Sequence, residues 1–165
     1  MRKLIKNGSV ISDQWLLIEE DGIDIAALTD KKLIIPLATW LEQKNTLSER
    51  KDEIGVWLNG HDDPSQLKDD YSELPIVGIH FPAFMDGRGF SAARLVRERY
   101  NFTGELRAIG NYMRDQLCNL RRCGFDAFSL PPEIDIDGAF SSLNDFNEYY
   151  QAASDQPTPL FRRRG

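Results

Sequence analysis

The chain is poor in the residues that build self-contained redox or metal centres. Its 165 residues include only two cysteines and two histidines. Cys118 and Cys123 lie in or at the end of one predicted helix, five positions apart. That spacing turns them more than about 90° away from each other and disfavours a disulfide. They do not form C-x-x-C, and with only His61 and His80 beside them no zinc-ligand spacing emerges. No metal is assigned, and no haem, iron–sulfur cluster or other cofactor is expected to be held by this chain alone. Neither G-x-G-x-x-G nor the Walker pattern is present. No apolar run reaches the roughly 18 residues of a membrane span. The start, MRKLIKNGSVISDQW, is basic but lacks the long apolar segment of a secretory signal, so a cytoplasmic protein is expected. A net charge of −6 and a pI near 5.0 argue against nucleic acid as a partner.

What is present reads as one α/β domain. A length of 165 residues, 41% hydrophobic and 28% charged, suffices for a genuine core. Residues 1–154 form the predicted domain and residues 155–165, with Arg162-Arg163-Arg164, a flexible basic tail. Residues 3–18 read as a small antiparallel unit, because Asn7-Gly8 is a hairpin-turn dipeptide. Leu33-Ile34-Ile35-Pro36-Leu37 is strand-like, and Pro36 places it at an edge or a strand end. Thr39 is a candidate cap for the helix around Trp40, which reads as core. From Glu53 the pattern runs βαβαβαβ: strands at 53–58, 74–81, 104–110 and 125–130, a short acidic helix at 65–74, and a last helix at 143–153. About four sequential β-α units on a parallel sheet resemble half of a (β/α)-barrel or a small open sandwich. His61, beside Asp62 and Asp63, reads as part of an exposed loop. His80 ends the most apolar strand, where a structural role competes with a site role.

The unusual stretch is 81–130. No lysine occurs after Lys68, whereas eight arginines fall between Asp86 and Asp126. Arginine suits planar oxyanions and carboxylates, and it suits interfaces. Arg94, Arg97 and Arg99 read first as a solvated helix face. The turn Asp86-Gly87-Arg88-Gly89-Phe90-Ser91 leads from a strand into a helix that Ser91 could cap. Backbone N–H groups then converge where an anion would sit. The same layout also starts helices that bind nothing. Ligands of parallel sheets gather at the C-terminal strand ends. Those ends bring forward Asp86 and Asp115 as proton-transfer candidates, and Gly87, Arg88, Gly89, Ser91, Arg114 and Gln116 as anion-binding candidates. Periodicity leaves open which sheet face Arg107 takes.

The same residues carry a resemblance. The Asp86-to-Ser91 turn, Ala93-Arg94, Gly104-Glu105-Leu106-Arg107-Ala108, Gly110, Asp115-Gln116 and Arg122-Cys123-Gly124-Phe125-Asp126 resemble the signature of the bacterial domain-of-unknown-function family 934. The chain departs from that signature at Gly110-Asn111-Tyr112, where Gly-Asp-Val is expected. The resemblance implies a setting in assimilatory sulfite reduction, since the family's genes tend to neighbour that of sulfite reductase and its members carry an oxidoreductase label. Two functional expectations follow. One is an accessory or electron-transfer-related partner of sulfite reductase. The other is an α/β enzyme that binds a small oxyanion ligand at the Gly-Arg-Gly turn. Whether the chain is an enzyme is left open, and an open apolar sheet edge makes a homodimer reasonable.

Overall fold

The computed structural model describes residues 3–82, 87–130 and 134–143. Eight strands form one sheet in the order β2-β1-β8-β7-β6-β5-β4-β3. They are β1 (Lys3–Lys6), β2 (Ser9–Ser12), β3 (Trp15–Leu17), β4 (Lys32–Pro36), β5 (Ile54–Leu58), β6 (Ile76–Phe81), β7 (Glu105–Gly110) and β8 (Ala127–Ser129). Strands β3 to β8 are parallel, each beside its neighbour in sequence. The sheet is a curled half-barrel with an N-terminal hairpin, as the sequence pattern predicts.

Asn7 and Gly8, with φ of 49° and 75°, make the tight turn that joins β1 to β2. Two positive φ values in succession are what a two-residue hairpin of this type needs. Strand β1 then pairs with β8, also antiparallel. The next segment departs from expectation. Trp15 to Leu17 do not extend the antiparallel unit but pair in parallel with β4 at the opposite edge. Only Asp13 and Gln14 separate the two edge strands. Three trans peptide units span at most about 11 Å between Cα atoms. The sheet must therefore curl until its two edges approach that closely. The Trp15 N–H donates to the Asp13 carboxylate at 3.1 Å and fixes the change of direction.

The helices lie on the outer face. They are α1 (Leu37–Gln43), α2 (Arg88–Arg94, continued by a wider π turn over Leu95–Arg99), α3 (Leu117–Arg122) and α4 (Ile136–Leu143). Alternation sends Leu33, Ile35, Val56, Val77, Ile79, Leu106 and Ala108 outward, where they bury against Trp40, Ala93, Val96, Leu117 and Leu120. Each large aliphatic so buried contributes roughly 1.5–3 kcal/mol. Trp40 is core, as read, and donates its indole N–H to Asp70 at 3.1 Å. The inner, helix-free face carries a smaller cluster of Ile34, Ile76 and Ile109 with Trp15, Leu17 and Trp57.

Local expectations shift in four places. Thr39 is not a cap: α1 starts directly after Pro36, the last residue of β4, and Thr39 is buried within it. Ser91 is not a cap either, because α2 already begins at Arg88 behind Gly87. The acidic stretch after β5 holds a single 3₁₀ turn, Pro64–Leu67, capped by the Asp63 carboxylate on Ser65 N–H, rather than a longer helix. Helix α4 starts at Ile136, earlier than expected. The predicted extension over 144–153, the tail at 155–165 and Asp86 lie outside the described residues.

Candidate functional site

The C-terminal ends of β6, β7 and β8 are tied together by side chains and backbone from one short segment. Gly110 closes β7 with φ of +95°. An added Cβ there would sit 2.5 Å from the Phe81 carbonyl oxygen, so glycine is required for both conformation and space. The next N–H, of Asn111, donates to that same carbonyl at 2.7 Å, and the Asn111 amide donates to Pro82 O at 3.2 Å. An aspartate cannot make the second bond, which gives a physical role to the departure at 111. Tyr112 is buried edge-on to Phe81, and its hydroxyl donates to Ser129 O at 2.6 Å. Burial pushes that phenol well above its ordinary value.

On the inner face beside this knot, His80 stacks on Trp57 with ring centroids 5.3 Å apart. Burial holds its imidazole below the usual histidine range, and nearby Glu19 partly opposes this. Its Nδ1 is buried with no hydrogen-bond partner among the described residues. The Trp57 indole donates to Ile18 O at 2.8 Å and so anchors the residue next to Glu19. Next to these groups, across Gly110, lies a cavity of about 480 Å³, lined by Lys3, Leu17, Glu19, Ile109, Gly110, Asn111, Ser129, Leu130, Ile134 and Ile136. It lies at the mouth of the half-barrel, where parallel sheets place their ligands. Lys3 and Glu19 are exposed, and neither makes an ion pair among the described residues.

The N-terminal end of the same inner face is the opposite. Arg107, 2% exposed, donates from Nε to Glu105 at 2.7 Å and from Nη1 to both Asp13 oxygens at 3.0 and 2.9 Å. Lys6 closes the set on Glu105 at 2.7 Å. Two cations and two carboxylates neutralise each other there. This also settles the face that Arg107 takes. On the outer side, Arg97 is not part of a solvated face, unlike exposed Arg94 and Arg99. It donates to the carbonyls of Gly124, Phe102 and Gly104 and pairs with Asp126 at 3.3 Å. Burial raises the Asp126 carboxyl above its ordinary range even so.

The residues singled out in the sequence fall into two groups. Gly87, Arg88, Gly89 and Ser91 form the first turn of α2. Gly89 is buried, and an added Cβ would lie 2.4 Å from the Phe81 ring, so its smallness serves packing. Gly87 has an ordinary φ of −71° and open space where a Cβ would go, so neither conformation nor packing requires a glycine there. Arg88 and Ser91 are exposed. Arg114, Asp115 and Gln116 form the 3₁₀ turn after β7. Arg114 lies over Gly138 of α4, Asp115 is exposed, and the Gln116 carbonyl oxygen accepts from Met113 N–H at 2.8 Å. His61 sits in an exposed loop 3.9 Å from Asp62, as read. Among the described residues no group of three histidine, cysteine or acidic side chains could hold a metal, and no helix is long and apolar enough to cross a membrane.

A family model described as a bacterial protein of unknown function, DUF934, matches residues 55–161. The chain belongs to this family. No curated protein and no solved structure matches it. The DUF934 match begins inside β5, so it contains the mouth residues on β7 and β8 but neither Lys3 nor Glu19. Those two were also missed in the sequence. Each lies in a short charged stretch with no motif of its own, and only the pairing of β1 with β8, together with the placement of β3 beside β4, brings them to one cavity.

Proposed function

We propose that this chain binds a small molecule at the mouth of its half-barrel and serves assimilatory sulfur metabolism in the cytoplasm as a companion of sulfite reductase. The observation that carries the binding part is the mouth cavity, where Lys3 and Glu19 stand exposed, without an ion pair among the described residues, beside a largely apolar wall. Binding pockets combine such walls with a few placed polar groups. The metabolic part rests on the resemblance of the 81–130 stretch and on the lack of a redox-cofactor fingerprint in the sequence, which favours an accessory role over an independent oxidoreductase. Arg88, Arg94, Arg99 and Arg114 are exposed cations of the kind an acidic partner would meet. They equally favour a second reading, an oxyanion held at the start of α2 by Arg88 and the backbone behind Gly87, with Asp115 available for proton transfer.

The test is growth of a deletion strain on sulfate, on sulfite and on cysteine. Failure on the first two with rescue by cysteine is expected. Complementation by Arg88→Ala with loss of rescue by Glu19→Gln supports the mouth, and the reverse pattern supports the oxyanion turn. Normal growth on all three sulfur sources removes the metabolic part. Co-purification with sulfite reductase above a tagged control is expected as well.

A further inference from the structure

We infer that the ligand of the mouth is a compact zwitterion with an apolar body, the chemical class of the neutral apolar α-amino acids. This rests on the mouth-binding reading and deepens it. Lys3 and Glu19 are the only charged residues among the described lining, and they have opposite sign. Neither makes an ion pair or hydrogen bond with another described residue, Glu19 acting only at a distance on the His80 ring, in contrast to Lys6, Glu105, Arg107 and Asp13 at the N-terminal end of the inner face. Beside them the wall is mainly hydrocarbon, with Leu17 and Ile109 from the sheet and Ile134 and Ile136 from the start of α4, and Asn111 and Ser129 are its uncharged polar members.

Charge balance then discriminates between ligand classes. A simple anion such as sulfate gains Lys3 but meets the Glu19 carboxylate, and a simple amine gains Glu19 but meets Lys3. An uncharged apolar ligand would screen both from water without pairing either. A molecule carrying an ammonium and a carboxylate on one hydrocarbon body pairs both and covers the apolar wall. The cavity, about 480 Å³, lies within the roughly 300–1,000 Å³ usual for small-molecule sites.

Isothermal titration of the full chain with L-leucine and L-phenylalanine tests this. Each is compared with its singly charged counterparts, for leucine 3-methylbutan-1-amine and 4-methylpentanoate. The zwitterion is expected to bind about ten-fold or more tighter than either counterpart, since each charge-assisted contact counts. Lys3→Gln and Glu19→Gln should each erase that advantage, and both are exposed enough to leave folding intact. Amine or carboxylate binding as tightly as the zwitterion overturns the inference while leaving the mouth as a site. Zwitterion binding undiminished in both variants overturns it by placing the site elsewhere. No heat with any of the compounds overturns the ligand class; amide-resonance mapping with sulfate and sulfite then decides separately whether the mouth binds anything.

Discussion

At the N-terminal end of the parallel strands the Arg107 guanidinium, the Glu105 and Asp13 carboxylates and the Lys6 ammonium are linked at 2.7 to 3.0 Å, with Arg107 and both carboxylates almost inaccessible to water. At the C-terminal end, around the mouth cavity, Lys3 and Glu19 stand exposed and without an ion pair among the described residues. The first arrangement bridges β1, β7 and the Asp13 link between the edge strands, and so holds the curl of the sheet. The second contributes nothing visible to the fold. Charges already committed to each other are in place to hold a structure. Charges left open beside an apolar wall are available to a ligand.

Breaking the committed end should have the largest effect. Arg107→Met leaves two buried carboxylates with only Lys6 between them. Losing one member of a buried ionic set costs about 3–5 kcal/mol, which urea denaturation would read as a large fall in midpoint. A loss below about 1 kcal/mol would mean that water already reaches this set. The turn before α2 gives the next contrast. Gly89→Ala drives a Cβ into the Phe81 ring and should cost about 1–3 kcal/mol. Gly87→Ala meets nothing and should stay within about 0.5 kcal/mol. Sulfate affinity measured on Gly87→Ala then sharpens the comparison, because a change there has no packing cause.

His80 lies between the two ends in character, half-buried and lacking a partner for Nδ1. Its folded-state pKa lies below the ordinary histidine value of 6.5 because burial disfavours the charged ring. Between that lowered value and 6.5 the unfolded chain binds more protons than the folded one. Stability from neutral His80 is therefore present above pH 6.5 and is lost as pH falls through 6.5 toward the folded value. In His80→Gln that segment of the pH–stability curve should flatten, and an unchanged slope would assign it to other groups. Smallest of all, Lys3→Gln and Glu19→Gln should shift unfolding by no more than about 0.5 kcal/mol each. A larger loss in either would move these residues into the committed class.

The elements whose signals are local were legible in the sequence. Asn7-Gly8 marked the hairpin, and the apolar run at 74–81 the central strand β6. What was not legible depends on contacts between distant residues. A three-residue segment such as Trp15–Leu17 looks the same beside β2 as beside β4, and only the turn at Asp13 decides. Arg107 alternates with apolar neighbours, so its burial became readable only with Asp13, 94 positions earlier, in place. For Arg97 the helical stripe indicated solvent, yet the loops after Phe102 and Gly124 return to supply three carbonyl acceptors. The mouth was anticipated in position, at the strand ends, but not in its charges. Lys3 and Glu19 have no local signature and lie outside the matched family segment.

The most direct test of the division between the two ends is a map of backbone amide resonances during titration with L-leucine. Shifts confined to Gly110, Asn111, Ser129 and their neighbours, with Leu106, Arg107 and Asp126 unmoved, are the predicted result. Shifts centred on the Arg107 set, or on the first turn of α2 with the mouth silent, would contradict it.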